Sequence, residues 1–245
     1  MKRLLLFGLI LLLSACGSPA VSTPAPTPEA INVIYPPALQ AWADKLANCA
    51  SNNPQIALYF VQSNALGTNN FPNDIVLKLG HDPLENPVAY LSQVGWEQVV
   101  LGVNKDNPLS QLSKDELKVI FSGQTSNLEN GSDQPIQVWV LPVGESTRTI
   151  FDRAVMLNQS LTTEAMLAPD PAAMVEAISN NINAIGYLPG SLLTTEGSSY
   201  ASNVKIVQLE PSLETELHQP VIAITQNEPK GLLRNLLVCL QSKTP

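Results

Sequence analysis

Histidine is almost missing from this chain of 245 residues: there are two, His81 and His218, and neither has an i,i+4 histidine partner. That leaves a histidine-based metal site or a serine–histidine nucleophile without its main ingredient. Ser146 would be a nucleophile only with a histidine beside it. No G-x-S-x-G elbow, Walker loop or H-E-x-x-H pattern occurs, so the sequence does not read as an enzyme. Cations are also sparse, with Lys+Arg 13 against Asp+Glu 21 and a net charge of −8. Nucleic acid is excluded as a partner, because binding it takes clustered cations that neutralise phosphates. A single buried oxyanion is not excluded, since local dipoles can hold it against an unfavourable overall field. The three cysteines include no C-x-x-C and no Cys/His cluster, so neither a metal nor another cofactor is expected. There is no internal repeat and no heptad run. Hydrophobic residues make up 44% and charged residues 14% of the chain, enough for the core of one large domain or two small ones.

One long apolar run is present, at the start. "MKRLLLFGLILLLSACGS" has a basic opening (Lys2, Arg3), an apolar stretch from Leu4 to Leu13 and small residues before Cys16. It is short for a membrane span and has the form of an export signal over residues 1–15. Leu13-Ser14-Ala15-Cys16 resembles the lipobox of bacterial lipoproteins, which implies cleavage before Cys16 and acylation of its thiol. Two or more acyl chains hold a protein stably at a membrane. The alternative is an ordinary signal peptide with a chance cysteine. Residues 16–30, rich in Pro, Ser, Thr and Ala, read as an extended tether. The protein is therefore expected to be exported and lipid-anchored, facing the periplasm or cell exterior, and more acidic once Lys2 and Arg3 are gone. Cys49 and Cys239 remain as an even pair in an oxidising compartment, expected to bridge the first helix to the last, with two buried free thiols as the alternative.

Past the tether, strand and helix signals alternate. "INVIY", "QIALYFVQ", "NDIVLKLG", "WEQVVLGVN", "PIQVWVLP", "AIGYLP", "NVKIVQL" and "QPVIAITQ" read as strands. "ALQAWADKLANCAS", "SKDELKVIFSG", "STRTIFDRAVMLN", "PDPAAMVEAISNN" and "GLLRNLLVCLQSK" read as helices. Ser113 and Glu116 form a capping-box pattern, and Asp170 with Pro171 marks another helix start. Such alternation predicts α/β layers with largely parallel sheets. In "VLPVGESTRTIFDRAVM", an apolar run from Val138 to Leu141 meets a Pro142–Gly144 turn, and Ser146, Thr147 and Arg148 open a helix. A strand feeding a helix N-terminus is a place to hold an anion, but Glu145 puts a negative charge there.

Three segments together resemble the phosphate-binding, periplasmic-type solute-binding proteins of ABC transporters. Val103, Asn104, Asn107 and Pro108 match a V-N-x-x-N-P element, Ile120 to Gly123 an I-F-S-G element, and Ala184 to Tyr187 an A-I-G-Y strand. Their order and rough spacing agree over about half the chain. The resemblance implies an α/β, two-lobed periplasmic-binding-protein-like fold of type II, each lobe a small mixed sheet flanked by helices. Lobe 1 would comprise 31–104 and 204–245, and lobe 2 residues 105–203. It further implies a monomer that traps a small-molecule ligand, an oxyanion or other small polar solute, by hinge closure and serves an ABC permease. Cys49 and Cys239 would then share one lobe.

The implied ligand-binding positions are Gly144, Glu145, Ser146, Thr147 and Arg148 on one side of the cleft and Tyr35, Ser63 and Asn64 on the other. Gly144 and Thr147 match the family's Gly-Ser-Gly-Thr turn, while Glu145 and Ser146 depart from it. The family's anion-clamping arginine falls on Leu141 or Pro142, and its ligand-facing acid does not map securely onto Asp74. Three readings follow: Arg148 replaces the missing guanidinium; Glu145 is the counter-charge for a zwitterionic or cationic ligand; or the cleft is degenerate, Glu145 serves the helix dipole and the protein is a sensor, adaptor or structural lipoprotein. The alternative for Arg148 is an i,i+4 pair with Asp152. Trp96 and Trp139, in apolar strand contexts, are expected in the core.

Overall fold

The computed structural model describes residues 27–64, 74–80, 89–125, 135–194 and 201–242. The expected leader, Cys16, most of the tether and His81 lie outside the described residues. The first described element is β1 (Glu29–Tyr35), where Ile31, Val33 and Tyr35 are buried at the two-residue period of a strand. A turn of 3-10 helix leads into α1 (Gln40–Ala50), which buries Trp42 and Leu46. β2 (Ile56–Gln62) and β3 (Ile75–Leu79) both lie parallel to β1.

The organising element is β4 (Tyr90–Asn104), a strand of 15 residues. Residues 90–98 pair antiparallel with β10 (His218–Thr225), which also flanks β3. Residues 99–104 pair antiparallel with β8 (Ala184–Pro189) on one edge and β9 (Val204–Leu209) on the other. β6 (Gln137–Val140) continues parallel to β8, and β7 (Met166–Leu167) to β6. The described strand order is β2-β1-β3-β10-β4-β8-β6-β7, with β9 joining β4 to the short β5 (Gln111–Leu112). The result is a two-lobed mixed α/β fold with one strand running through both sheets.

Helices close the faces. α1 packs on α7 (Gly231–Ser242), and Cys49 and Cys239 join them in a disulfide with Cα atoms 5.9 Å apart. In the other lobe α2 (Lys114–Phe121) starts at Ser113 with both limbs of its capping box made. α4 (Pro171–Asn180) starts at Asp170, whose carboxylate accepts from the Ala173 N–H at 2.8 Å. The short α5 (Ser191–Thr194) follows β8, and α6 (Pro211–Glu216) bridges β9 to β10.

Several expectations need correction. The sheet is mixed, not largely parallel, because β10 returns from the second lobe and enters between β3 and β4 in the opposite sense. β4 begins six residues before the expected "WEQVVLGVN"; Ser92, Gln93 and Gly95 weaken the local signal, and pairing with β10 makes them a strand. Trp96 is not core: it is 48% exposed and stacks on the His218 ring with centroids 4.8 Å apart. Strand alternation gives the inward position to Glu97 instead. Trp139 is half-buried, its indole N–H on Gln137 Oε1 at 3.0 Å. The helix expected over 146–158 is α3 (Ser146–Phe151) followed by a π-helical turn (Asp152–Met156), ended by Leu157 and Asn158 at φ +49° and +80°.

Candidate functional site

β6 ends at Val140 and delivers Leu141, fully buried, to the turn. Pro142 accepts the Glu145 N–H at 3.2 Å, and Gly144 sits at φ +87°, a conformation costly for any residue with a Cβ. Among the described residues, chain neighbours aside, no atom lies within 4 Å of where a Gly144 Cβ would be, so the backbone angle, not crowding, calls for glycine.

Glu145 then caps α3, and its side chain is 0% exposed. One carboxylate oxygen accepts the Arg148 N–H at 3.0 Å and the other the Thr147 hydroxyl at 3.2 Å. The nearby Ser146 and Thr147 backbone N–H groups also favour its charged form. Burial pushes the Glu145 carboxyl above its usual range, opposed by these donors. The amide fan that a helix start offers to an anion is therefore already capped, by the chain's own carboxylate.

Arg148 does not face that fan. Its guanidinium donates to the Leu141 carbonyl at 2.7 Å and to Asp152 at 3.2 Å. The Tyr187 hydroxyl accepts from the Leu141 N–H at 3.4 Å, so both polar groups of this peptide position are tied down. Tyr187 lies flat on Phe151 with centroids 4.1 Å apart, and Phe121 completes the aromatic support. Its hydroxyl pKa is pushed well up, chiefly by burial. Neither the Arg148 substitution reading nor the Glu145 counter-charge reading matches these positions: one guanidinium is committed behind the turn, and the carboxylate has no exposed surface.

In the other lobe, Tyr35 is 6% exposed; its hydroxyl donates to Gln40 Oε1 at 2.9 Å and its ring meets Phe60 edge-on. Burial is also the main cause of the raised Tyr35 pKa. The Ser63 N–H donates to the Tyr35 carbonyl at 2.9 Å, and Asn64 is exposed at the end of that described segment. Asp74, nearby in sequence to β3, is buried and accepts from Asn32 Nδ2 at 2.9 Å. The sequence-predicted residues thus fall into two clusters, one per lobe, each bonded within itself. A recess of about 790 Å³ on the flank of α3 is walled by Arg148, Asp152, Arg153 and residues of 156–161, not by Gly144, Glu145 or Thr147. Among the described residues no three His, Cys, Asp or Glu side chains gather as a metal site would need.

The matched motif residues serve packing. Asn104 Nδ2 donates to the Ile178 and Ser179 carbonyls at the end of α4, at 3.1 and 2.7 Å. Asn107 Nδ2 holds the Ile182 carbonyl at 2.6 Å, and Lys205 donates to the Asn107 carbonyl. Gly123, at φ +74°, ends α2 against Thr162, and Gly186 lets α4 approach so closely that a Cβ would meet Met174 Sδ at 2.4 Å. Sequence reasoning missed Glu97 and the Gln40 and Asn32 contacts; only Glu97 carried a signal, the one acid in the strand segment WEQVVLGVN.

A mixed α/β fold of two lobes joined through a shared strand is the architecture of periplasmic-binding-protein-like domains. The chain belongs to the PBP superfamily: the model of a PBP superfamily domain matches residues 85–244. The phosphate-binding protein PstS of Bacillus subtilis is 29% identical over 157 residues, 62% of this chain. The chain spans about half (52%) of that relative's length. In structure it is similar to a Clostridium perfringens protein described as a phosphate ABC transporter substrate-binding protein and solved with bound phosphate. That likeness has a TM-score of 0.68 at 16% identity, over 86% of this chain and 93% of that one. The Synechocystis CcmR regulatory domain, solved with 2-PG, gives a TM-score of 0.60 at 13% identity, over 89% of this chain and 100% of that one. At such identities these structures speak for the fold alone.

Proposed function

We propose that the protein is a lipid-anchored extracytoplasmic solute-binding protein that works as a monomer with an ABC permease and closes its lobes on a small polar solute. The observation that carries this reading is β4, whose two halves belong to different sheets, an arrangement suited to hinge closure. Leu13–Cys16 and the Pro-rich segment after it support anchoring and display beyond the membrane. In this reading one lobe comprises 31–104 with 204–245 and the other 105–203, and the passage of β4 from pairing with β10 to pairing with β8 supports a division along that strand. Phosphate, the ligand of the relatives' names, is not carried over unchanged. With the start of α3 capped by Glu145 and the Arg148 guanidinium held by Leu141 and Asp152, the ligand is a small polar solute bound without that amide fan. The test is a melting-temperature screen of the mature protein against phosphate, sulfate, molybdate, amino acids and small sugars at millimolar levels. A bound ligand at a hundred times its Kd adds about 2.7 kcal/mol of stability, a readily measured rise. No shift with any of them would sink the transport reading.

A further inference from the structure

Halfway along β4, Trp96-Glu97-Gln98-Val99 places an acid on the inward face of the strand. Glu97 is 3% exposed, and a carboxylate so far from water needs directed donors. It has two, from different lobes. Its Oε2 accepts the Trp42 indole N–H at 2.8 Å, from α1. Its Oε1 accepts the Ser191 backbone N–H at 3.0 Å, from the start of α5 just beyond β8. Trp42 is 1% exposed, with the Lys45 ammonium 4.5 Å from its ring centroid.

The position along β4 matters as much as the partners. Glu97 is paired with Gln219 of β10, whereas Val99, two residues on, is paired with Pro189 of β8. Glu97 therefore stands where the strand changes from one sheet to the other. Backbone bonds at the same point, Gly190 N–H to Gln98 at 2.7 Å and Val99 N–H to Leu217 at 3.0 Å, run from the strand itself. The Glu97 carboxylate differs in grasping an element of each lobe at once. Rotation of one lobe about β4 must lengthen one of its two bonds, leaving a buried N–H or carboxylate oxygen unpaired.

We propose that Glu97 is the latch that sets the angle between the lobes in the ligand-free protein, and so the fraction of molecules poised to bind. This rests on the two-lobed fold and not on the ligand's identity. The consequence for affinity follows because apparent binding scales with the population of the competent state.

Glu97→Gln keeps the shape but has one acceptor oxygen, and its NH₂ must face one of the two donors. Trp42→Phe severs only the α1 limb and keeps the charge. Both variants of the mature chain are compared with wild type without ligand. Hydrogen exchange is followed at the Ser191 amide and, where present, the Trp42 indole, and lobe separation by small-angle X-ray scattering. The expected result for Glu97→Gln is exchange about tenfold faster or more at one of the two sites, with an increased radius of gyration. Trp42→Phe should change the scattering in the same direction while the Ser191 amide keeps its protection. Scattering curves that superpose on wild type, with exchange faster, would show that Glu97 only satisfies local donors and overturn the proposal. Should Glu97→Gln fail to fold, Trp42→Phe decides alone: unchanged scattering refutes the latch. Since no ligand is used, failure here leaves the solute-binding reading intact.

Discussion

Replacing Glu145 by Ser tests the central feature of the turn. The substitution removes a carboxylate that accepts the Arg148 N–H and the Thr147 hydroxyl. Loss of a good N-cap costs about 0.5–2 kcal/mol, and serine restores part of it by accepting one amide. Burial works the other way, since the wild-type carboxylate is desolvated. The net expectation is a loss of about 1 kcal/mol, or about 2–4 °C in Tm for a domain of this size. Inorganic phosphate should then raise the Tm of the variant more than that of wild type, because amides vacated by Glu145 are open to an external anion. A Tm unchanged by the substitution, together with an equal phosphate response in both proteins, would refute the reasoning. The pH dependence supplies a second readout. Because the folded-state pKa of Glu145 is raised, the native state holds its proton more tightly than the unfolded chain. Its contribution is most favourable below the unfolded value of about 4.3 and falls as pH rises through the folded one. Relative to Glu145→Gln, which cannot titrate, wild type should lose stability across that rise; a pH-independent difference in Tm would contradict the assigned direction.

Other consequences concern the scaffold. Asn104→Ala should cost about 2–3 kcal/mol by denaturant unfolding, since buried bonds to two α4 carbonyls and to the Asp106 N–H are lost together. Gly186→Ala should cost about 1–3 kcal/mol through crowding of Met174, and replacing Met174 by a smaller residue in the same chain should recover part of it. Reduction of Cys49–Cys239 frees a loop with a sequence separation of 190, worth about 5 kcal/mol in the chain-entropy model and commonly 2–5 kcal/mol when measured. A midpoint insensitive to reductant would count against the bond's stabilising role.

How far the sequence could be read depended on where each signal originates. Helix starts at Ser113 and Asp170 are local chemistry, and both caps form as the residues indicate. The alternating burial of β1 is equally local. The first six residues of β4 are not: Tyr90 to Gly95 become a strand through β10, more than 120 positions away in sequence. The end of α3 was hidden for a similar reason, because the π-helical turn is set against α2 and α6. At the turn, the residue types identified the place but not its state. Glu145 at a helix start is equally consistent with facing a ligand and with folding back on the amides, and only its zero exposure decides. The family motifs were legible because they are packing devices: Asn104, Gly123, Gly186 and Tyr187 all hold secondary structure together. They transmit the fold, and they would persist in a protein whose ligand had changed.

The contest between Glu145 and a free oxyanion can be put on a scale. A tethered group competes at an effective concentration of about millimolar even on a short flexible linker, and Glu145 is held more rigidly than that. A free anion at micromolar concentration must therefore bind the same amides about a thousandfold more strongly, an advantage of about 4 kcal/mol, merely to draw level. In the family this turn resembles, an upstream arginine and a serine hydroxyl would contribute to such an advantage. Here those positions carry Leu141 or Pro142 and Glu145, while Arg148 is bonded behind the turn. Displacing Glu145 would also leave its own buried charge seeking solvent. Each change alone would weaken phosphate capture, and together they act in one direction. Micromolar phosphate binding by wild type would thus require Glu145 to swing out of the amide fan. The Ser146, Thr147 and Arg148 amide resonances should then stay unchanged on titration with phosphate if Glu145 holds its place, and shift together if it yields.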